Sequence, residues 1–152
     1  MNIELIVVGK TDMKEVEALV AMYSKRLNHY VKFAITTLAD VRNTRKLSET
    51  EQKRLEGEQI LKLITDADHL MLLDEHGAEL RSIEFAELLQ RRMSSGVKRL
   101  VFVIGGPYGF SDAVYQRANS KLSLSKMTFS HQIVRAIFTE QLYRAFTILK
   151  NE

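Results

Sequence analysis

The sequence predicts a single α/β domain, residues 1–152, with a mostly parallel sheet covered by helices on both faces. Three observations carry that expectation. Strand-like and helix-like segments alternate from one end of the chain to the other. The strand-like segments are short continuous apolar runs, as strands buried on both faces require, and not the in–out alternation of a half-exposed sheet. At 152 residues, with 45% hydrophobic and 27% charged residues, the chain can bury one core without disulfide or metal staples.

Ile3 to Val8 is an unbroken apolar run closed by Gly9, the first buried strand. Asp12 reads as the N-cap of the next helix, with Glu15 at the third helical position, where a carboxylate meets the helix dipole. Met13, Val16, Leu19, Val20, Tyr23 and Leu27 recur at helical spacing and give that helix an apolar face. Val31, Phe33, Ile35 and Thr37 alternate as a second strand. From Asp40 to Thr50 the chain is polar and basic without periodicity and reads as a mobile loop or as a segment that orders on a partner. Ser48 with Glu51 forms a capping-box pattern, opening a helix through Leu55, Ile60, Leu61 and Ile64.

His69 to Leu73 is the third strand, ending in Asp74-Glu75-His76-Gly77. Ser82 reads as the cap of a helix carrying Ile83, Ala86, Leu89 and Met93, which stops at Ser94-Ser95-Gly96. Leu100 to Ile104 follows as a strand, and Ser111 caps a short helix to about Asn119. Leu122 and Leu124 belong to a last strand or extended loop. At roughly 100° per residue, Val134, Ile137, Phe138, Leu142, Ala145, Phe146, Ile148 and Leu149 cover more than half of the final helix. An arc that wide needs cover on two sides, and a second subunit is the natural second cover. Glu140, Tyr143 and Thr147 fall on the opposite, polar face; His131 and Arg135 fall at the edge of the arc, near the helix entrance.

Composition excludes several chemistries. With no cysteine there is no disulfide, thiolate metal site or cysteine nucleophile, and the four histidines lack metal-ligand spacing. The N-terminus has no basic n-region, and no apolar run approaches the ~18 residues of a membrane span, so a cytoplasmic protein without membrane contact is expected. The net charge of +3 is mildly basic. Basic residues gather at Arg42, Arg45, Lys46, Lys53 and Arg54 and again at Arg91, Arg92, Lys98 and Arg99, which read first as solvated faces.

Ligands of such sheets bind at the carboxyl ends of strands, here Gly9, Leu73-Asp74, Ile104-Gly105 and Ser123-Leu124. Three of the seven glycines and the only proline fall in Gly105-Gly106-Pro107-Tyr108-Gly109, where the backbone must turn sharply or approach a ligand. A dinucleotide site needs G-x-G-x-x-G with an acidic residue about 20 positions on. The spacing here is G-G-x-x-G, and Ser125-Lys126 stands where the acid belongs, which argues against a nicotinamide-dependent oxidoreductase. A phosphate-binding G-x-x-x-x-G-K-[ST] loop is absent. Alone, the glycine loop fits a tight turn as well as a ligand site.

Three motifs taken together are more specific: I-G-G-P-Y-G-F-S, then S-L-S-K-M-T-F-S-H, then V-R-x-x-x-x-E-Q-L-Y-R-A. At these separations they resemble the RlmH family of the SPOUT (α/β knot) superfamily, and the resemblance runs from I-x-L-I-x-V-G-K at the start to Y-R-A-F-x-I-L in the last helix. It implies an S-adenosylmethionine-dependent homodimer that methylates N3 of a pseudouridine in 23S rRNA of the large ribosomal subunit or ribosome, with no metal. It also implies a C-terminal trefoil knot, against the general rarity of knots. Carried over by position, the cofactor residues are Leu73, Gly105, and Leu124, Ser125, Lys126, Met127, Thr128 and Phe129. By residue type alone Leu73 reads as core.

Methyl transfer from a sulfonium is an in-line displacement, so the protein positions the reactants and handles the acceptor's proton. Glu140 is the candidate for orienting or deprotonating the base, with Arg144 holding it or contacting phosphate; the alternative is a plain i,i+4 ion pair. His131 and Arg135 are candidates for fixing the cofactor loop or gripping RNA, a capping or packing histidine being the alternative. Tyr143 stacks on a base or fills a dimer interface. Family members usually continue into a short tail bearing P-Y-H that contributes to the active site, and this sequence stops at Asn151-Glu152, where the tail would begin. A non-catalytic nucleotide- or RNA-binding module using the same pocket is the second reading.

Overall fold

The computed structural model describes residues 1–41 and 46–152; Arg42 and Arg45 of the first basic stretch lie outside them. The elements are β1 (Asn2–Val8), α1 (Lys14–Leu27), β2 (Lys32–Leu38), α2 (Glu49–Lys62), β3 (His69–Glu79), α3 (Ser82–Ser94), β4 (Arg99–Ile104), α4 (Asp112–Arg117), β5 (Ser120–Ser123) and α5 (Ile133–Leu149). Every strand pairing is parallel, in the order β2-β1-β4-β3-β5. The predicted parallel sheet is therefore the observed one.

Alternate strand residues point to opposite faces, and both faces are buried. Ile3, Leu5 and Val7 join Met71, Leu100 and Phe102 on one side, packed with Leu27 of α1, Phe85 and Leu89 of α3 and Phe138, Leu142 and Phe146 of α5. Ile6 and Val8 join Leu70, Leu72, Val101 and Val103 on the other, against Ile60 of α2 and Val114 of α4. Three helices cover one face and two the other, which is why the strands read as continuous apolar runs. Phe102 and Phe138 meet edge to face at 4.7 Å between centroids, with Phe85 against both.

Local signals succeeded where they were not overridden by tertiary contacts. Ser48 accepts from the Glu51 amide and Ser111 from the Val114 amide, so both predicted caps form. Asp12 does not cap α1, whose N-cap is Met13. The Asp12 amide instead donates to Gln132 Oε1 at 2.9 Å, a partner 120 residues away. Ser82 is already inside α3, whose N-cap is Arg81; the Glu84 carboxylate accepts from the Arg81 amide, and the Ser82 hydroxyl donates to Gln141 Oε1 of α5.

Strand β3 also runs past its predicted end at Leu73. Its register against β5 shifts between Leu73 and Ala78, and pairing resumes at Ala78 and Glu79. The polar Asp74-Glu75-His76-Gly77 run is thus the irregularity inside the strand. Gly77 is needed there, because a Cβ would come 2.6 Å from the Leu122 backbone nitrogen.

Two faces depart from expectation. Helix α1 buries Val16 and Leu27 but leaves Met13, Leu19 and Met22 exposed. Helix α5 fully buries Phe138, Leu142, Ala145 and Phe146, while Val134, Ile137, Ile148 and Leu149 are only half-buried. Tyr143 is not on a bare polar face. Its ring lies 5.7 Å from Tyr23 and 6.2 Å from Tyr30, and the Arg26 guanidinium sits 5.6 Å from the Tyr23 and Tyr143 centroids. Arg99 of the second basic cluster is neutralised by Glu4 and Asp68 at the amino end of the sheet.

Candidate functional site

The carboxyl ends of β3, β4 and β5 open into one cavity of about 580 Å3. Each wall follows from local sequence. The β4 strand runs out at Ile104, and the Gly105–Phe110 loop closes on itself through a Gly106–Gly109 bridge, with Gly109 at φ +83°. Phe110 folds back under the loop, so that a Cβ on Gly105 would lie 3.0 Å from its ring. The β5 exit is wired by serines: Ser123 Oγ donates to the Ser125 carbonyl and the Met127 amide donates to Ser125 Oγ. Ser130 Oγ accepts from the Ile133 amide and turns the chain into α5.

Leu73, Gly105, Leu124, Ser125, Met127, Thr128 and Phe129 all line this cavity, and so does His131. Lys126 lies in the same loop but is exposed and not part of the lining. Met127, 76% exposed, is among the most solvent-open apolar side chains described. Seven of the eight cofactor candidates, drawn from three distant segments, therefore share one wall.

Of the four catalytic candidates, Arg135, Glu140 and Arg144 do not line the cavity. Arg135 is only 2% exposed and lies behind the site. Its guanidinium donates to the carbonyls of Val8, Gly9 and His131 and to Thr11 Oγ1, at 2.9 to 3.0 Å. These partners are neutral oxygens at the exit of β1 and the entrance of α5, so burial pulls the guanidinium below its ordinary pKa while Asp12 and Asp40 oppose that pull. Arg135 thereby ties α5 to β1 and holds the His131 backbone at the cavity edge. Glu140 and Arg144 are outside the cavity, with Arg144 Nε 3.0 Å from Glu140 Oε1; Glu140 Oε2 also accepts from Gln141 Nε2. The two form an i,i+4 ion pair on a surface where Arg144 is more than half exposed.

The structure adds residues that the sequence did not single out. Glu49, Asp74 and Glu75 put carboxylates on the cavity lining beside Tyr108 and Tyr115. Asp74 Oδ2 accepts from the Tyr115 hydroxyl at 2.5 Å, and Asp74 Oδ1 accepts from the His76 amide at 3.1 Å. Burial first, then the hydrogen bond to Asp74, pushes the Tyr115 phenol well above its ordinary value, so it remains a donor. A smaller groove of about 390 Å3 adjoins the cavity across the wall made by Asp74, His76 and Tyr115, and reaches Lys121. The only hint of Asp74 in the sequence was its place at a strand end, and Tyr115 gave none.

Behind the glycine loop, α2, with Leu55, Ile60, Leu61 and Ile64 as its expected apolar residues, buries Ile60 together with the polar Gln52 and Glu56. Glu56, 5% exposed, touches Gly106 so closely that a Cβ there would sit 2.6 Å from Glu56 Oε1. Gln52 Nε2 donates to Glu56 at 3.2 Å. Burial raises the Glu56 pKa, with Gln52 opposing and Asp40 adding to the rise.

A cavity at the carboxyl ends of parallel strands, walled by close backbone turns and rimmed by carboxylates, suits a flat nucleoside-like ligand carrying positive charge. Comparison with known proteins points the same way. Residues 1–152 match a family model described as "Predicted SPOUT methyltransferase". The chain is 59% identical over 152 residues to the ribosomal RNA large subunit methyltransferase H of Christiangramia forsetii, covering 100% of this chain and 97% of that protein. The protein of the same name from Flavobacterium psychrophilum is also 59% identical with the same coverage, and one from Porphyromonas gingivalis is 51% identical over 152 residues. With the parallel sheet, the cavity at its carboxyl edge and a family match along its whole length, the chain belongs to the SPOUT methyltransferase family.

Proposed function

We propose that this protein is an S-adenosylmethionine-dependent methyltransferase acting on N3 of a pseudouridine in 23S ribosomal RNA, on the large subunit or ribosome in the cytoplasm. The observation that carries the reading is the convergence of Leu73, Gly105 and the Leu124–Phe129 loop on one cavity. The relatives' name, ribosomal RNA large subunit methyltransferase H, supports the substrate class. The volume lies in the ordinary range for small-molecule sites, about 300–1,000 Å3. Its tight backbone turns and acidic rim fit a nucleoside bearing a sulfonium.

Bound S-adenosylmethionine supplies an electrophilic methyl group. The chain's own part is positional. Gly105 lets the backbone approach the nucleoside, Leu73 and Leu124 supply apolar contact, and Arg135 fixes the β1 exit and the entrance of α5. In this reading Glu140 takes or orients the N3 proton of the acceptor base, and Arg144 holds the Glu140 carboxylate or meets phosphate. Both lie outside their own cavity, so they serve a neighbouring protomer's site. The exposed Met13, at the N-cap of α1, and the exposed Leu19 and Met22 of α1 support a homodimer through this helix. The placement of β5 beside β3, with the loop beyond it returning to the glycine turn, supports the trefoil knot.

The test pairs calorimetric titration of S-adenosylmethionine with transfer of labelled methyl to ribosomes lacking the modification. Wild-type protein binds and transfers, and Gly105→Leu does neither. Binding without transfer favours a non-catalytic module; a folded protein that binds neither the cofactor nor its demethylated product removes the cofactor assignment.

A further inference from the structure

Asp74 is held in a manner that ordinary surface carboxylates are not. One oxygen accepts the His76 amide and the other the Tyr115 hydroxyl. A carboxylate offers about four lone-pair sites. With one taken on each oxygen, a free acceptor site remains on each, side by side and fixed in direction. Asp74 lines the main cavity directly after Leu73.

The support reaches further back. Tyr115 is braced edge to face by Phe110, 5.8 Å between centroids, and the Phe110 ring is the surface on which Gly105 rests. The glycine turn and the end of β3 are thus mechanically joined through Phe110, Tyr115 and Asp74. Lys121 lies 5.6 Å from the centroid of the Tyr115 ring. Nothing in the packing of the core needs this chain of contacts to end on a carboxylate in a cavity.

Resting on the cofactor reading above, we infer that Asp74 is a specificity residue that grips the cis-diol of the ligand's ribose, one hydroxyl on each carboxylate oxygen, and that Tyr115 is the positioning residue that sets the fork. Two adjacent neutral donors match two fixed, adjacent acceptor sites. An acidic side chain reading ribose hydroxyls at a strand end is established chemistry in other parallel-sheet sites. A single cation would need only the charge and would gain nothing from a fork pinned on both oxygens.

The experiment is calorimetric titration with S-adenosylhomocysteine, which cannot turn over, and with its 2′-deoxy and 3′-deoxy counterparts. Wild-type protein binds the ribose form about ten-fold tighter than either deoxy form, the scale of one hydrogen bond to a charged group. Asp74→Asn loses both hydrogen bonds, weakens the ribose form by about 100-fold and no longer distinguishes the three ligands. Tyr115→Phe weakens it by about three-fold, with discrimination reduced but present. Wild-type protein that binds all three equally overturns the diol assignment while leaving the cofactor pocket standing. Asp74→Asn that still discriminates fully overturns it too, since the hydroxyls are then read elsewhere. Wild-type protein that binds neither S-adenosylmethionine nor any of the three sinks the pocket reading itself and this inference with it. If Asp74→Asn fails to fold by thermal melting, the wild-type comparison and Tyr115→Phe decide alone.

Discussion

The two arginines of α5 stand nine residues apart and live in opposite environments. At about 100° per residue, nine positions are two and a half turns, so they leave the helix on opposite sides. Arg135 faces inward and meets the exit of β1, where strand carbonyls have run out of partners. Arg144 faces outward and meets Glu140 one turn back. Each satisfies its charge, but with different consequences. The inner arginine is held by four neutral oxygens from two segments, so removing it strands acceptors in a dry place. The outer one is solvated and held by a single carboxylate, that of Glu140. A helix can thus anchor its own sheet and offer chemistry with one residue type, provided the two sites are half a turn out of phase.

The sharpest way to break this contrast is Arg135→Met. It leaves the Val8 and Gly9 carbonyls unpaired, and denaturant unfolding should report a loss of about 3 kcal/mol or more. A loss under about 1 kcal/mol would mean that water replaces the guanidinium and that the clamp is not structural. Next is Gln132→Leu, just before α5. Gln132 accepts from the Asp12 amide and donates to the Lys10 carbonyl, so the same measurement should give about 1–2 kcal/mol.

Glu56→Gln tests the inner side by pH. The folded protein holds the Glu56 proton to higher pH than the unfolded chain does, because burial raises its pKa. Native protein therefore binds more protons than unfolded chain across that window, and this carboxylate makes stability fall as pH rises through it. The glutamine variant should match wild type below the ordinary carboxylate pKa and exceed it by a few degrees at neutral pH, read as melting temperature against pH. Equal melting curves at both ends would show that Glu56 is solvated when folded.

The smallest stability effect belongs to the outer side. Glu140→Gln and Arg144→Gln should each change stability by no more than about 0.5 kcal/mol. Methyl transfer by Glu140→Gln should nevertheless fall about 100-fold if that carboxylate handles the acceptor's proton. Transfer at the wild-type rate would leave the pair as surface decoration and erase the functional half of the comparison.

How far the sequence could be read varied by element. Strands β1 and β4 were legible because burial on both faces leaves a short apolar run, here closed by Gly9 and Gly105. The caps of α2 and α4 were legible because Ser48 and Ser111 act within three residues of themselves. Asp12 and Ser82 misled because α1 and α3 start one residue away, at Met13 and Arg81, while distant Gln132 and Gln141 hold the Asp12 amide and the Ser82 hydroxyl. In the site, the family motifs brought out Leu73, Gly105 and the Leu124–Phe129 loop, while Lys126 carried the motif and not the lining. Tyr115 and Glu56 went unseen because an interior tyrosine or glutamate on a short amphipathic stretch looks like any other.

The sequence by itself determined the alternation of buried strands and helices, and hence a parallel sheet with ligand space at its carboxyl edge. Those properties follow from periodicity and local capping, which are written along the chain. Only the tertiary structure decided that Arg135 is an internal clamp, that Asp74 is forked by Tyr115 and His76, and that Glu56 backs the glycine turn. Each depends on what stands opposite a side chain from segments tens of residues away, and burial converts the same donor or carboxylate from a solvated charge into a fixed structural or binding element.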